Sequence, residues 1–303
     1  MKRILICLCL VILAGGFQTL PAWSQALVEP SWLKTRLTDP AIVIIDLRRE
    51  DEYLQRHIPG AVWSPYGEGS WYFRPAMGAP TPGVQNALAA RMGQLGITAQ
   101  SHVILVHAGR IYNHPALAAQ VYWTFKYAGH RKISILHGGT RAYLEEPGIK
   151  VTNVSRPVRQ TTYSTEPGSP TLAVAEDVRE AIKQKSQIID VRARGQFLGI
   201  NKIDEVARYG TITSAIHFPA AWLATDGGGR IRPMGELKQL FTAMKIDPAK
   251  ESIFISVTGT LSALAWFAAH EVLDNKKARN YAPGLFEWAR NPENPMERRF
   301  IFR

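Results

Sequence analysis

Four hydroxyl residues, Ser256, Thr258, Thr260 and Ser262, fall within seven positions, between a short apolar run at 253–255 and an amphipathic stretch reaching residue 273. The pattern predicts a strand, a tight loop and a helix. Such a loop aims backbone N–H groups at a point above the strand end, and the helix dipole adds about half a positive charge there. The backbone of Ser256, Val257, Thr258, Gly259, Thr260, Leu261 and Ser262 is therefore an expected anion cradle, with the hydroxyls as further donors. Whether it also holds a nucleophile depends on Ser256. A serine hydroxyl becomes nucleophilic only beside a base. No Gly-x-Ser-x-Gly run is present, and nothing in the sequence pairs His217 or His270 with Ser256. The only cysteines are Cys7 and Cys9, so nothing beyond residue 9 can form a thiolate or a disulfide.

Other residues could assist. Lys202, Arg208, Arg230 and Arg232 could grip an anion, Arg208 being the best placed of the four. Asp46 and Asp190 end β-branched runs as Asp-x-Arg and are expected to be structural, because buried carboxylates are usually paired. His57 is read the same way. His107, His114 and His130 lack metal-ligand spacing, so neither a metal nor a cofactor is expected. Trp222 and Trp288 are expected in the core, with a pocket wall as the alternative.

These residues sit in a chain with a leader and two similar halves. Lys2 and Arg3, an apolar run at 4–17 and the small-x-small triplet Ser24-Gln25-Ala26 form a secretory signal peptide over residues 1–26, which predicts a periplasmic or secreted protein with no membrane span once the leader is cleaved. Removing Lys2 and Arg3 from the 36 basic residues leaves 34 against 25 acidic ones, a net charge of +9. The charges are scattered, which suits anions or acidic partners and not nucleic acid.

Each half opens with a short helix, followed by an apolar run ending in Asp-x-Arg: Asp46 and Arg48 in 27–147, Asp190 and Arg192 in 171–291. Short apolar runs bounded by charge and Gly or Pro predict buried strands of a parallel sheet. A strand at 103–106 leads into a loop at 107–114 and a helix from Pro115, capped by Asn113; residues 252–273 are its counterpart. Each half closes with a strand and a Gly turn, at 133–143 and 278–288. A polar linker, 148–170, joins the halves. Residues 292–303 read as a surface strap, and residues 65–83, aromatic and rich in Gly and Pro, as a lid or ordered excursion.

Tyr53, His57-Ile58-Pro59-Gly60-Ala61, Leu136-His137-Gly138-Gly139 with Ala142-Tyr143, and the helix at 121–130 resemble the motifs of the rhodanese family. In the second half, residues 208–212 stand where the family has its Gly-His-Ile-Pro-Gly-Ala element, and Tyr281 and Glu287-Trp288 match its C-terminal motif. Pro283, Gly284 and Leu285 depart from it. The resemblance covers residues 28–291 and implies two tandem rhodanese-like α/β domains, each a parallel sheet flanked by helices. It also implies thiosulfate sulfurtransferase chemistry in the second domain, where a cysteine thiolate attacks a sulfane sulfur and holds it as a persulfide. Counting ten residues back from Trp266 places Ser256 at the family nucleophile, with Thr258-Gly259 on a family Thr-Gly. The first-domain counterpart, around His107, also lacks Cys. Oxygen keeps the shape and hydrogen bonding of sulfur but cannot store a persulfide. The sequence therefore points to a pseudoenzyme that binds a small sulfur-containing anion or a periplasmic protein partner. The alternative is an active sulfurtransferase working through a partner's thiol.

Overall fold

The β-branched runs become parallel strands, and the segments between them become the helices that cover the sheets. The computed structural model describes residues 26–67, 71, 82–166, 170–225 and 227–302. The leader through residue 25 and most of the expected lid lie outside the described residues. In chain order the first domain comprises β1 (Leu27–Val28), α1 (Pro30–Lys34), β2 (Ile42–Asp46), α2 (Glu50–Gln55), β3 (Val62–Trp63), α3 (Pro82–Gln94), β4 (His102–Val106), α4 (Asn113–Tyr127), β5 (Ile133–Leu136) and α5 (Gly139–Glu145). Its sheet runs β1-β5-β4-β2-β3, all parallel.

The second domain follows with α6 (Ala175–Gln184), β6 (Gln187–Asp190), α7 (Arg194–Leu198), β7 (Thr211–Ile212), β8 (Ile216–His217), α8 (Met234–Ala243), β9 (Ser252–Ile255), α9 (Thr260–Phe267), β10 (Ala278–Tyr281), α10 (Gly284–Trp288) and β11 (Met296–Glu297). Its parallel sheet runs β10-β9-β6-β8. A bridge from Leu172 to Asn280 adds to its edge, where β1 adds to β5 in the first domain. The duplication is therefore visible strand by strand. In each sheet the chain leaves in opposite directions from two adjacent central strands, β2 and β4 or β6 and β9. Ligand crevices in open α/β sheets form at the carboxyl ends of such strand pairs.

Three local expectations change. Asn113 lies inside α4 and does not cap it; His114 Nδ1 accepts the Arg110 N–H at 2.9 Å and closes the loop instead. Each closing Gly turn leads into a further short helix, α5 or α10. The tail contributes β11, which pairs antiparallel with β7 and forms a ribbon outside the parallel sheet.

The helices that follow the two loops bind the domains together. Residues 262–267 of α9 are all buried, as a helix apolar on every face must be. Against it lies α4, with Tyr122 edge-on to Phe267 at 4.9 Å and 6.2 Å from Trp266. Each such aromatic, removed from water, stabilises the pair by roughly 1.5–3 kcal/mol. Lys126 faces Glu271 at 3.7 Å across the same seam. Among the described residues no helix is long and apolar enough to cross a membrane.

Candidate functional site

The loop after β9 closes on its own first side chain. Ser256 follows Ile255 directly at the end of a central strand and is 1 % exposed. Its Oγ accepts the Gly259 N–H at 3.1 Å and lies 3.0 Å from Ser262 Oγ, which itself donates to the Gly259 carbonyl at 3.1 Å. Two hydroxyls thus brace the loop from inside. Val257, Thr258, Thr260 and Leu261 form a half-buried outer rim. The first-turn amides of α9 have no acceptor within the helix. Thr260 Oγ1 lies 3.0 Å from the Tyr66 hydroxyl of the first domain, so the rim sits on the domain seam.

The segment after β10 presses onto this loop from above. Leu285 N–H donates to the Ser256 carbonyl at 2.9 Å and Phe286 N–H to the Val257 carbonyl at 3.0 Å. The approach requires Gly284, because a Cβ there would lie 2.5 Å from both carbonyl oxygens. The first domain repeats the construction: Thr140 N–H donates to the His107 carbonyl at 2.7 Å and Arg141 N–H to the Ala108 carbonyl at 3.3 Å, with Gly139 as the residue of close approach. His107 is therefore the counterpart of Ser256. Burial, with smaller contributions from His114 and His137, pushes its imidazole down to about 3, so it is neutral at ordinary pH.

The expected cations are not brought to the loop. Arg208 requires correction as an anion-binding residue. Its guanidinium donates to the carbonyls of Trp288, Ala289, Asn291, Pro292 and Asn294, at 2.8–3.4 Å. It is held there because those carbonyls follow the end of α10 and have no helical partners. Lys202 lies over the Tyr209 ring, Arg232 pairs with Glu236, and Arg230 pairs with Glu29 across the seam. His217 bonds the Arg192 carbonyl and His270 pairs with Glu271, so neither serves Ser256 as a base.

The residues read as structural are placed as such. Arg48 grips Asp46 with two nitrogens at 2.6 and 2.9 Å, and Arg192 grips Asp190 at 2.6 and 3.0 Å. Thr211 Oγ1 also donates to Asp190, at 2.7 Å. His57 stacks on Tyr53 with ring centres 3.8 Å apart. Trp288 is buried, whereas Trp222 is 41 % exposed and lines a cavity of about 600 Å³ with Arg110, Tyr112 and Arg232. Among the described residues no group of three His, Cys, Asp or Glu could hold a metal.

Comparison with known proteins gives this geometry its family. The Rhodanese-like domain model matches residues 29–146 and again 174–291. The thiosulfate sulfurtransferase of Bos taurus is 27 % identical over 283 residues, covering 87 % of this chain and 92 % of its own. The crystal structure of SseA from Escherichia coli, described as a 3-mercaptopyruvate sulfotransferase, aligns with a TM-score of 0.68 at 24 % identity, covering 85 % of this chain and 98 % of that one. An anaerobic ergothioneine biosynthesis enzyme from Chlorobium limicola aligns with a TM-score of 0.78 at 20 % identity, over 90 % of this chain and 70 % of that one. At those identities the two structures speak for the fold alone. The repeated match and the duplicated strand–loop–helix geometry lead to one conclusion: this chain belongs to the rhodanese family, with two rhodanese-like domains in tandem, and is similar to thiosulfate sulfurtransferases.

Proposed function

We propose that this chain is an exported, non-catalytic rhodanese-family protein that forms no persulfide of its own and takes a small sulfur oxyanion on the outer rim of the 256–262 loop. One observation carries the reading: the loop that the family uses for its nucleophile opens with Ser256 in a sequence whose only cysteines are Cys7 and Cys9. Persulfide chemistry needs a thiolate to attack the sulfane sulfur while the S–S bond of thiosulfate breaks and sulfite leaves. An oxygen in place of that sulfur leaves the cradle without a carrier. Thr258, Thr260 and Leu261 are only half-buried, and the helix start favours negative charge whatever the side chains.

The test is thiocyanate formation from thiosulfate and cyanide by purified protein. The wild type should give none, and Ser256→Cys should gain turnover. Robust wild-type turnover would end the proposal. Turnover that appears only when a thiol protein is added would favour the partner-thiol reading instead. Export is tested by cell fractionation and N-terminal sequencing, with Leu27 expected as the first residue.

A further inference from the structure

The first domain carries a crevice lined by several charged side chains. A cavity of about 500 Å³ opens at the carboxyl ends of β2 and β4, the adjacent central strands where the chain direction switches. Small-molecule sites commonly occupy that position and roughly that volume. Four guanidiniums reach it from four different segments: Arg48 after β2, Arg56 after α2, Arg110 in the loop after β4, and Arg141 on α5. Carboxylates offset three of them. Asp46 holds Arg48, Glu52 pairs with Arg110, and Glu145 pairs with Arg141 at 3.2 Å. Arg56 has no carboxylate partner among the described residues.

Thr140 adds a second, independent sign. It lines the cavity and is 5 % exposed, yet its Oγ1 is buried with no hydrogen-bond partner, and so is Nδ1 of the adjoining His107. Buried polar atoms without partners are rare and costly. The second domain supplies an internal control. Leu285 and Phe286 occupy the positions of Thr140 and Arg141, making the same two backbone bonds to the loop below. The same frame is thus apolar in one domain, and in the other it carries a hydroxyl and a guanidinium.

From these placements we infer that the first domain binds a small molecule bearing an oxyanion (carboxylate, sulfonate or sulfate) in this crevice, with Arg56 and Arg141 as counter-charges and the Thr140 hydroxyl as a hydrogen-bond donor. The site is separate from the 256–262 loop, and either can fail without the other.

Isothermal titration of the purified protein with sulfate, thiosulfate and pyruvate tests it. At least one should bind. Arg141→Gln and Thr140→Val should each weaken that binding at least about tenfold, the loss of one charged or buried hydrogen bond. Thr140→Ser, which keeps the hydroxyl, should restore it, and Lys250→Gln, an exposed residue outside both sites, should leave it unchanged. Thermal unfolding checks each variant for folding, and Arg56→Gln, at an exposed helix end, serves if a buried substitution unfolds the domain. The inference is overturned if none of the three anions binds. It is equally overturned if the affinity ignores the first-domain substitutions.

Discussion

Removing one oxygen from Ser256 distinguishes a strut from a dormant nucleophile. In Ser256→Ala the Gly259 N–H loses its 3.1 Å acceptor and Ser262 Oγ loses its 3.0 Å neighbour, although Ser262 keeps the Gly259 carbonyl. Ser256 and Ser262 are almost fully buried, so water cannot easily replace the missing partner. One unpaired buried donor costs about 1–3 kcal/mol, and the methyl group of alanine recovers little of it. Urea unfolding should show a lower midpoint with an unchanged slope, and thermal unfolding a fall of several degrees. Ser256→Cys should lie between alanine and the wild type, because a thiol is a weaker hydrogen-bonding partner than a hydroxyl. The two variants also divide in the thiocyanate assay, where only cysteine should gain turnover. An alanine variant as stable as the wild type, within about 0.5 kcal/mol, the usual span of a neutral substitution, would refute the view that this hydroxyl holds the loop.

Burial holds the His130 imidazole down to about 4 and that of His107 down to about 3. Both lie below the ordinary value near 6.5, so the unfolded chain takes up protons first; the stability they contribute is complete above about pH 6.5 and is lost as pH falls towards 4. His130 alone should account for roughly 3 kcal/mol of that loss, and His130→Gln should flatten the dependence of Tm on pH between 6.5 and 4; equal slopes would count against it. Arg208→Ala removes the guanidinium from five carbonyls at and beyond the end of α10, of which those of Trp288 and Asn291 keep a donor from Asn294. It should cost about 2–3 kcal/mol and open the tail to limited proteolysis, while leaving oxyanion affinity unchanged; a variant that loses affinity with its tail intact would return Arg208 to the binding site.

The fold was legible because it is written twice. Asp-x-Arg at the ends of β2 and β6, the His57–Ala61 run and the Gly turns before α5 and α10 are local signals, and each appears in the element it predicted. The position of Ser256 was legible for the same reason, since strand, loop and helix are contiguous. What escaped the sequence depends on long-range partners. Arg208 finds carbonyls about 80 residues away, and a carbonyl leaves no mark on the residue type that bears it. The first-domain crevice escaped because its arginines come from four segments and each alone reads as a solvated charge. A signal was present, however. Aligning residues 137–145 with 282–290 sets Thr140 and Arg141 against Leu285 and Phe286, and that contrast marks where the two halves diverge.

The divergence explains how one frame can do different work in its two copies. In the second domain Leu285 and Phe286 press onto the loop, the loop interior is filled by its own hydroxyls, and the following helix is buried against α4. Each of these features favours rigidity around Ser256. In the first domain the same strand ends open onto charged side chains and a hydroxyl with no partner. Unpaired buried polar atoms are destabilising, and the folded state tolerates them more readily where a ligand can complete them. On this reasoning the braced loop gives the second domain the character of a scaffold, and the proposed first-domain crevice is where a ligand would complete the unpaired atoms.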